Sequence, residues 1–354
     1  MTNTAPFDAA PQHGPRPLPL FLDLLHSETA ASPERMAAAL AGLRAYQDAP
    51  RGTRPAPMPA VTTVGRAHLR DYGGDGRPVI FIPSLINPPF ILDLAEDNSM
   101  LRWMRDRDIR PLLLDWGAPL DDERDLDIGD HVERFLLPMI DALGERPALA
   151  GYCLGGTMAL AAAALRPVAG LALIAAPWNF NGFPGTARAD MLALWTTAKA
   201  SCEAIGYLPM EVLQTAFWRL DPARTIAKYE AFAALDPASD AARSFVALED
   251  WANGGAPLTF GAGRQAFEDF FGSDTPGQGA WSVGGRQILP EQIACPVLDV
   301  VSLKDKIVPA ATATGLADRI ELGAGHVGMI VGRSAQETLW RPLAHWLSQL
   351  QHEW

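Results

Sequence analysis

Cys153 stands in a short segment whose pattern suits nucleophilic chemistry. Residues 151–156 read Gly-Tyr-Cys-Leu-Gly-Gly and lie between an apolar run and an alanine-rich run. The order predicts a strand, a tight turn and a helix, with cysteine at the position that serine takes in the G-x-S-x-G nucleophile pattern. Glycines allow the backbone angles that such a turn needs. Because a helix N-terminus favours a thiolate, we predict that Cys153 is a nucleophile.

A cysteine nucleophile requires a base and a carboxylate that orients the base, expected later in the chain in the order acid, then histidine. Asp305 follows the apolar run 295–301, and His326 lies in the glycine-rich stretch 323–328. Both stand where parallel strands are expected to end, which is where catalytic groups gather in such sheets. Of the seven histidines, His326 is the one in a glycine-rich loop. We therefore predict a Cys153, His326 and Asp305 triad.

Other residues compete for these roles. Cys153 could fill space in the core, as most buried cysteines do. Asp299 could be the acid, although it falls inside its strand, and a structural hydrogen bond is expected of Asp115. Cys202 and Cys295 are predicted to pack in the interior.

Acyl chemistry at Cys153 also requires donors for a negatively charged oxygen. The backbone N–H of Leu154, directly after the cysteine, is one predicted donor. The second is expected from the loop after the strand that ends at Ile82, with Leu85 or Ile86 as candidates. No cluster with metal-ligand spacing is visible, so neither a metal nor a cofactor is predicted.

The composition limits the classes of partner. The chain has 354 residues, 48% of them hydrophobic, and a formal net charge of -12, which argues against general affinity for nucleic acid or anionic membranes. Three separated cysteines give no disulfide framework, which fits a reducing cytoplasm. Residues 147–165 carry no charge, but their glycines favour a strand and a buried helix over a transmembrane segment.

Alternating strands and helices predict an α/β fold with a mostly parallel sheet flanked by helices. Buried strands are predicted at 78–83, 111–116, 148–150, 168–176 and 295–301, and residues 66–72 alternate as an edge strand would. A helix is predicted to begin at Ser32-Pro33-Glu34, with Ser32 as its N-cap. The predicted domains are an N-terminal arm and linker (1–60), a first core part (61–177), a helical cap (178–290) and a second core part (291–354).

Further stretches carry a resemblance to a known family. They are Ile-Leu-Asp-Leu at 91–94, Leu-Asp-Trp-Gly at 114–117, Val-Gly-Gly-Arg at 283–286, Lys-Asp-Lys-Ile-Val-Pro at 304–309 and Gly-His-Val-Gly at 325–328. With the Gly-x-Cys-x-Gly-Gly segment, they make the chain resemble the polyhydroxyalkanoate synthases of the α/β-hydrolase superfamily over about residues 78–347. Its length is most like the catalytic chain of the two-subunit, class III enzymes.

This resemblance implies an acyltransferase that polymerises 3-hydroxyacyl-CoA to polyester and releases CoA. It implies Cys153 as nucleophile, Asp305 as acid and His326 as general base. It further implies a homodimer or a second synthase subunit as partner, and a cytoplasmic location at the polyester granule surface. Two features depart from the family pattern: Lys306 stands where histidine often follows the acid, and prolines occupy the segment 84–90.

Cysteine suits transfer better than hydrolysis. Loading from acyl-CoA exchanges one thioester for another, so the bound acyl group stays activated for transfer to a hydroxyl. The rival interpretations are a non-polymerising thioesterase or ester hydrolase of the same fold, and a granule-surface or scaffold protein that has kept the fold without activity.

Overall fold

The computed structural model describes residues 13–52, 54–316 and 318–350. Within these ranges the contacts group the chain into two compact units. The larger unit comprises residues 54–220 and 254–350, and the smaller comprises residues 13–52 and 221–253.

An eight-stranded sheet organises the larger unit. Its strands are β1 Ala60–Val64, β2 Ala67–Asp71, β3 Arg77–Ile82, β4 Ile109–Asp115, β5 Ala148–Tyr152, β6 Gly170–Ile174, β7 Val297–Ser302 and β8 Arg319–Leu322. Their spatial order is β1-β2-β4-β3-β5-β6-β7-β8. The β1–β2 and β2–β4 pairs are antiparallel and all other pairs are parallel. The predicted mostly parallel sheet is confirmed.

The central strands are the continuous apolar runs of the sequence. Every residue of β5 is buried, as are all residues of β3 after Arg77. Helices cover both faces of such a sheet, so the side chains on both faces of its central strands are apolar. The predicted buried strands therefore coincide with β3 to β7, apart from shifts at their ends.

The position of β2 corrects one prediction. Residues 66–72 were expected at the edge of the sheet, but β2 pairs with β1 on one side and β4 on the other. Ala67 and Leu69 are buried, while His68 and Arg70 are partly exposed. The alternation therefore reflects a strand with one covered face and does not indicate an edge.

The helices follow the chain in this order: α1 Leu18–Thr29, α2 Pro33–Asp48, α3 Met100–Arg105, α4 128–142, α5 Leu154–Leu165, α6 Gly185–Ile205, α7 Met210–Leu220, α8 Pro222–Ala233, α9 Asp240–Ala252, α10 260–272, α11 Gly328–Val331 and α12 336–349. Helices α4, α10 and α12 each contain a π-helical stretch. The predicted helical insertion lies between β6 and β7. None of the described helices has the length and apolar character needed to cross a membrane.

Helices α1, α2, α8 and α9 form the smaller unit. Ser32 caps α2 as predicted, because its hydroxyl accepts a hydrogen bond from the Arg35 N–H at 3.3 Å. A Cβ on Gly42 would stand 1.9 Å from the carbonyl oxygen of Tyr229, so α2 and α8 pack backbone to backbone there. The Tyr229 hydroxyl donates to buried Glu249 at 2.8 Å. The predicted domain boundaries at 60, 177 and 290 stay a prediction.

Candidate active site

Cys153 occupies the turn between β5 and α5 with φ 56° and ψ -132°. This backbone conformation is costly for a residue with a side chain and is found mainly at functional sites. The Cys153 N–H donates to the carbonyl oxygen of Ile174 at 2.9 Å, and its own carbonyl accepts from the Gly156 N–H at 2.8 Å. These bonds fix the turn and leave the thiol at the N-terminus of α5.

The two glycines after Cys153 are required by close packing. A Cβ on Gly155 would stand 2.1 Å from the carbonyl oxygen of Ile82, and a Cβ on Gly156 would stand 2.3 Å from the Cβ of Ala176. The start of α5 therefore lies directly against the ends of the neighbouring strands. The glycine pattern that suggested the turn has this steric origin.

His326 and Asp305 meet at the same end of the sheet. The Nδ1 of His326 lies 2.6 Å from the Oδ2 of Asp305, and the Asp305 side chain is fully buried. The other carboxylate oxygen accepts the N–H groups of Ile307 at 2.8 Å and Val308 at 2.9 Å. These bonds fix the carboxylate, and the carboxylate in turn orients the imidazole.

Cys153 lies close enough to His326 to influence its titration, so the structure brings the three predicted residues together. Burial alone would lower the pKa of His326, but the charges of Asp305 and Cys153 outweigh it and raise this pKa to about 10. The imidazole is therefore held in its protonated form beside the Asp305 carboxylate.

Tyr152 packs against the imidazole of His326. The two rings stack with centroids 4.9 Å apart and planes 25° apart. The Tyr152 hydroxyl donates to the backbone carbonyl of His326 at 3.2 Å. Burial, and then the charges of Cys153 and Asp305, raise the pKa of Tyr152, which keeps this donor protonated. Sequence reasoning missed Tyr152, since its neighbour Cys153 is the only hint that the sequence offers.

Two of the three predicted oxyanion donors lie at the cavity that contains Cys153. Leu154 and Ile86 border the same cavity as Cys153, and Leu85 packs against the core. The Ile86 N–H donates to the hydroxyl of Ser84 at 3.1 Å. The roles of Leu154, Leu85 and Ile86 stay a prediction.

The competing acidic residues have structural contacts of their own. Asp299 lies inside β7, accepts a hydrogen bond from Thr314 at 2.9 Å and has its pKa raised by burial. Asp115 pairs with Arg70 at 2.7 Å, which is the kind of structural bond expected of it. Cys202 and Cys295 belong to or pack against the hydrophobic core. Among the described residues, no three histidine, cysteine or acidic side chains are arranged to hold a metal ion.

A cavity open to solvent begins at Cys153. Core loops form its floor and helices α6, α7 and α10 form its walls, all within the larger unit. Its lining is apolar throughout except for the cysteine. Helices were predicted in this region as part of the cap at 178–290, but the apolar lining of the cavity was not predicted.

The chain belongs to the alpha/beta hydrolase family, which it matches over residues 99–338. The predicted fold class is thereby confirmed. Among solved structures, the alpha/beta hydrolase GrgF from Penicillium sp. sh18 is similar in fold, with a TM-score of 0.50 and 19% sequence identity over 83% of this chain and 98% of that one.

Curated relatives confirm the resemblance drawn from the motifs. The poly(3-hydroxyalkanoate) polymerase subunit PhaC of Haloferax mediterranei is 27% identical over 288 residues, which cover 77% of this chain and 58% of that protein. The protein of the same name from Allochromatium vinosum is 26% identical over 291 residues, which cover 77% and 81%. The chain thus spans less than two thirds of the length of the Haloferax relative. The two-subunit class stays a prediction.

Proposed function

We propose that this protein is an acyltransferase that polymerises 3-hydroxyacyl-CoA to polyester through an acyl-Cys153 intermediate. The observation that carries the proposal is Cys153 on a strained turn, close to a His326 that Asp305 orients. The names of the relatives support the substrate class and the polymerising outcome.

Loading begins from a thiolate and an imidazolium. The Cys153 sulfur attacks the thioester carbonyl, the carbon–sulfur bond to CoA breaks, and the CoA sulfur takes the proton from His326. The negative charge on the carbonyl oxygen is met by backbone N–H groups, with Leu154 and either Leu85 or Ile86 as the proposed donors.

Transfer follows from the change in charge. Acylation removes the charge of Cys153, which is one of the causes that raise the pKa of His326. Neutral His326 then takes the proton of an incoming hydroxyl, whose oxygen attacks the acyl group and releases the Cys153 sulfur. The released sulfur restores the starting pair. No metal and no cofactor beyond the acyl-CoA substrate enter these steps.

An assay of purified protein with 3-hydroxyacyl-CoA substrates of several chain lengths tests the proposal. It measures released CoA, insoluble polyester and free 3-hydroxy acid, with Cys153→Ala as the control. CoA release accompanied by polyester, both lost in the control, is the expected result. Free acid as the only product would establish the thioesterase or ester hydrolase instead, and no CoA release would favour a scaffold.

Partner and location are part of the proposal. The relatives are named as subunits, which supports assembly with a second synthase subunit or as a homodimer. The proposed location of the protein in the cell is the cytoplasm, at the surface of the polyester granule. Light scattering with and without a candidate subunit, and a fluorescent fusion in polymer-forming cells, test these two points.

A further inference from the structure

We infer that Ser84 is a positioning residue of the oxyanion site, the pair of backbone N–H groups that meets the charged carbonyl oxygen. The Ser84 hydroxyl holds the N–H of Ile86 and thereby leaves the N–H of Leu85 as the second donor. This inference rests on the proposed acyl transfer at Cys153. It chooses between the two donors that the sequence left open.

The loop after β3 lies directly against the first turn of α5. A Cβ on Gly155 would stand 2.6 Å from the carbonyl oxygen of Pro83. Gly155 directly follows Leu154, whose N–H is the first proposed donor. A little further along the loop, Ile86 borders the cavity that begins at the cysteine. The stretch 84–86 is therefore well placed to supply the second backbone donor.

The hydroxyl of Ser84 already occupies the N–H of Ile86. The Ser84 Oγ accepts this N–H at 3.1 Å, two residues along the chain. Serine hydroxyls form such local turns and hold the backbone N–H against other acceptors. Ser84 is buried, so water has little access to the bond. The Ile86 N–H is therefore directed at the hydroxyl and away from an oxygen at Cys153.

The N–H of Leu85 is the donor that this turn leaves over. In the described part of the chain it has no hydrogen-bond acceptor. The Leu154 N–H likewise has none there, as expected for the first residue of a helix. Backbone N–H groups in a protein interior are seldom left unpaired. Two of them on segments in contact are what a negatively charged oxygen requires.

Trp116 holds the start of the same loop. Its Nε1–H donates to the carbonyl oxygen of Pro83 at 3.0 Å, in a buried contact. Trp116 belongs to the Leu-Asp-Trp-Gly stretch 114–117, to which the triad gives no role. The backbone is thus held by Trp116 before Ser84 and by the Ser84 hydroxyl after it. The Leu85 N–H between them is fixed in direction, which is the condition under which such a donor lowers a barrier most.

Backbone esters test the choice of donor. An ester in place of the peptide bond before Leu85, made with the hydroxy acid analogue of leucine, removes that N–H and keeps the side chain. It should lower kcat for CoA release roughly 10²- to 10³-fold, as loss of one oxyanion donor does. The matched control is an ester before Ile86, which should cost no more than roughly tenfold. A larger loss before Ile86 than before Leu85 would overturn the inference.

Ser84→Ala tests the positioning role. It should lower kcat roughly tenfold with little change in KM, and Ser84→Thr, which keeps a hydroxyl, should restore most of the rate. Combined with the ester before Ile86, Ser84→Ala should cost no more than either change alone, because both remove the same hydrogen bond. Losses that multiply would show that Ser84 acts on the substrate directly and would overturn the inference. If Ser84→Ala fails to fold, the two esters carry the test.

Two acyl-CoA analogues separate this inference from the proposed function. In the first, a methylene stands between a ketone carbonyl and the CoA sulfur. The Cys153 thiolate adds to the carbonyl carbon, the carbon–oxygen π bond opens, and the oxygen takes the negative charge without any group leaving. In the second, a methylene replaces the carbonyl, so no charged oxygen forms.

Calorimetry of both analogues gives the outcome. Ser84→Ala should weaken binding of the ketone roughly tenfold and leave binding of the carbonyl-free analogue unchanged. This result would support the inference even if no polyester is made. A ketone that binds no tighter than the carbonyl-free analogue in the natural protein would contradict the nucleophile at Cys153, and with it the inference. Equal loss of both analogues, or of neither, in Ser84→Ala would overturn the inference alone.

Discussion

The backbone of Cys153 is held in a conformation that residues with side chains seldom adopt. Hydrogen bonds to Ile174 and Gly156 maintain it. The strained turn presents the thiol next to His326, at a helix N-terminus that favours negative charge. A cysteine that merely filled space would not need such a turn.

Asp305→Asn should lower the pKa of His326 from about 10, because the carboxylate charge is one of the causes that raise it. Histidine NMR should show a protonated imidazole at pH 8 in the natural protein and a neutral one in the variant. The rate of CoA release should fall roughly 10²- to 10⁴-fold. An imidazole that titrates at the same pH in both proteins would contradict the assigned contact.

The same shift affects stability. The folded state holds the His326 proton more tightly than the unfolded chain does. This contribution is therefore fully present below about pH 6.5 and is lost as the pH rises through about 10.

Tyr152→Leu should lower kcat for CoA release roughly tenfold with little change in KM, because the ring positions the imidazole without touching substrate. Tyr152→Phe keeps the stacked ring and loses only the hydroxyl bond to the His326 carbonyl, so it should restore most of the rate. A variant that changes KM instead of kcat would indicate that Tyr152 contacts the substrate.

At the scale of elements, α5 begins so close to the end of β3 that no side chain fits at Gly155. Gly155→Ala should destabilise the protein by about 3 kcal/mol, because its Cβ would meet the backbone carbonyl of Ile82 at 2.1 Å. Urea unfolding measures this loss. Gly185→Ala is the control, since nothing lies within 4 Å of its added Cβ. Equal stability of both variants would refute the steric role of Gly155.

His131 in α4 makes stability sensitive to acid. Burial, followed by the nearby Arg66, lowers its pKa to about 4 even though Asp127 opposes the shift. Its Nε2 accepts from the Arg66 guanidinium at 2.9 Å, so a proton there would break the contact.

Unfolded histidine takes up a proton below about pH 6.5, so the contribution of His131 is fully present above that pH and is lost as the pH falls through about 4. Lowering the pH from 7 to 5 should cost about 2 kcal/mol of unfolding free energy through this residue. His131→Gln should show a correspondingly flatter pH dependence in urea unfolding. Parallel curves for the two proteins would exclude the assignment.

The sequence predicted some elements better than others for physical reasons. Buried parallel strands are visible as apolar runs, and β3 to β7 were found in this way. The prediction that residues 66–72 form an edge strand was wrong. Alternation of buried and exposed residues indicates that one face of a strand is covered, but it does not indicate how many strands pair with it. The pairing of α2 with α8 could not be predicted, since it depends on a close approach at Gly42 to a residue far along the chain.

At the scale of the whole molecule, the order of three residues along the chain predicted the site. Cys153, Asp305 and His326 lie far apart in sequence, and the parallel strands bring their loops to one end of the sheet. The stacked Tyr152 and the apolar cavity were not predicted, because both depend on side-chain packing that leaves no periodic signal. Family membership defines the fold, and the chemistry at Cys153 decides the activity.

Intact-protein mass spectrometry after mixing with 3-hydroxyacyl-CoA tests the central claim most directly. We expect a mass increase equal to one 3-hydroxyacyl group or a short chain of them, located on Cys153 by peptide mapping and absent in Cys153→Ala. Hydroxylamine at neutral pH, which cleaves thioesters, should remove this group from the natural protein. An acyl group attached elsewhere, or CoA release that continues unchanged in Cys153→Ala, would contradict it.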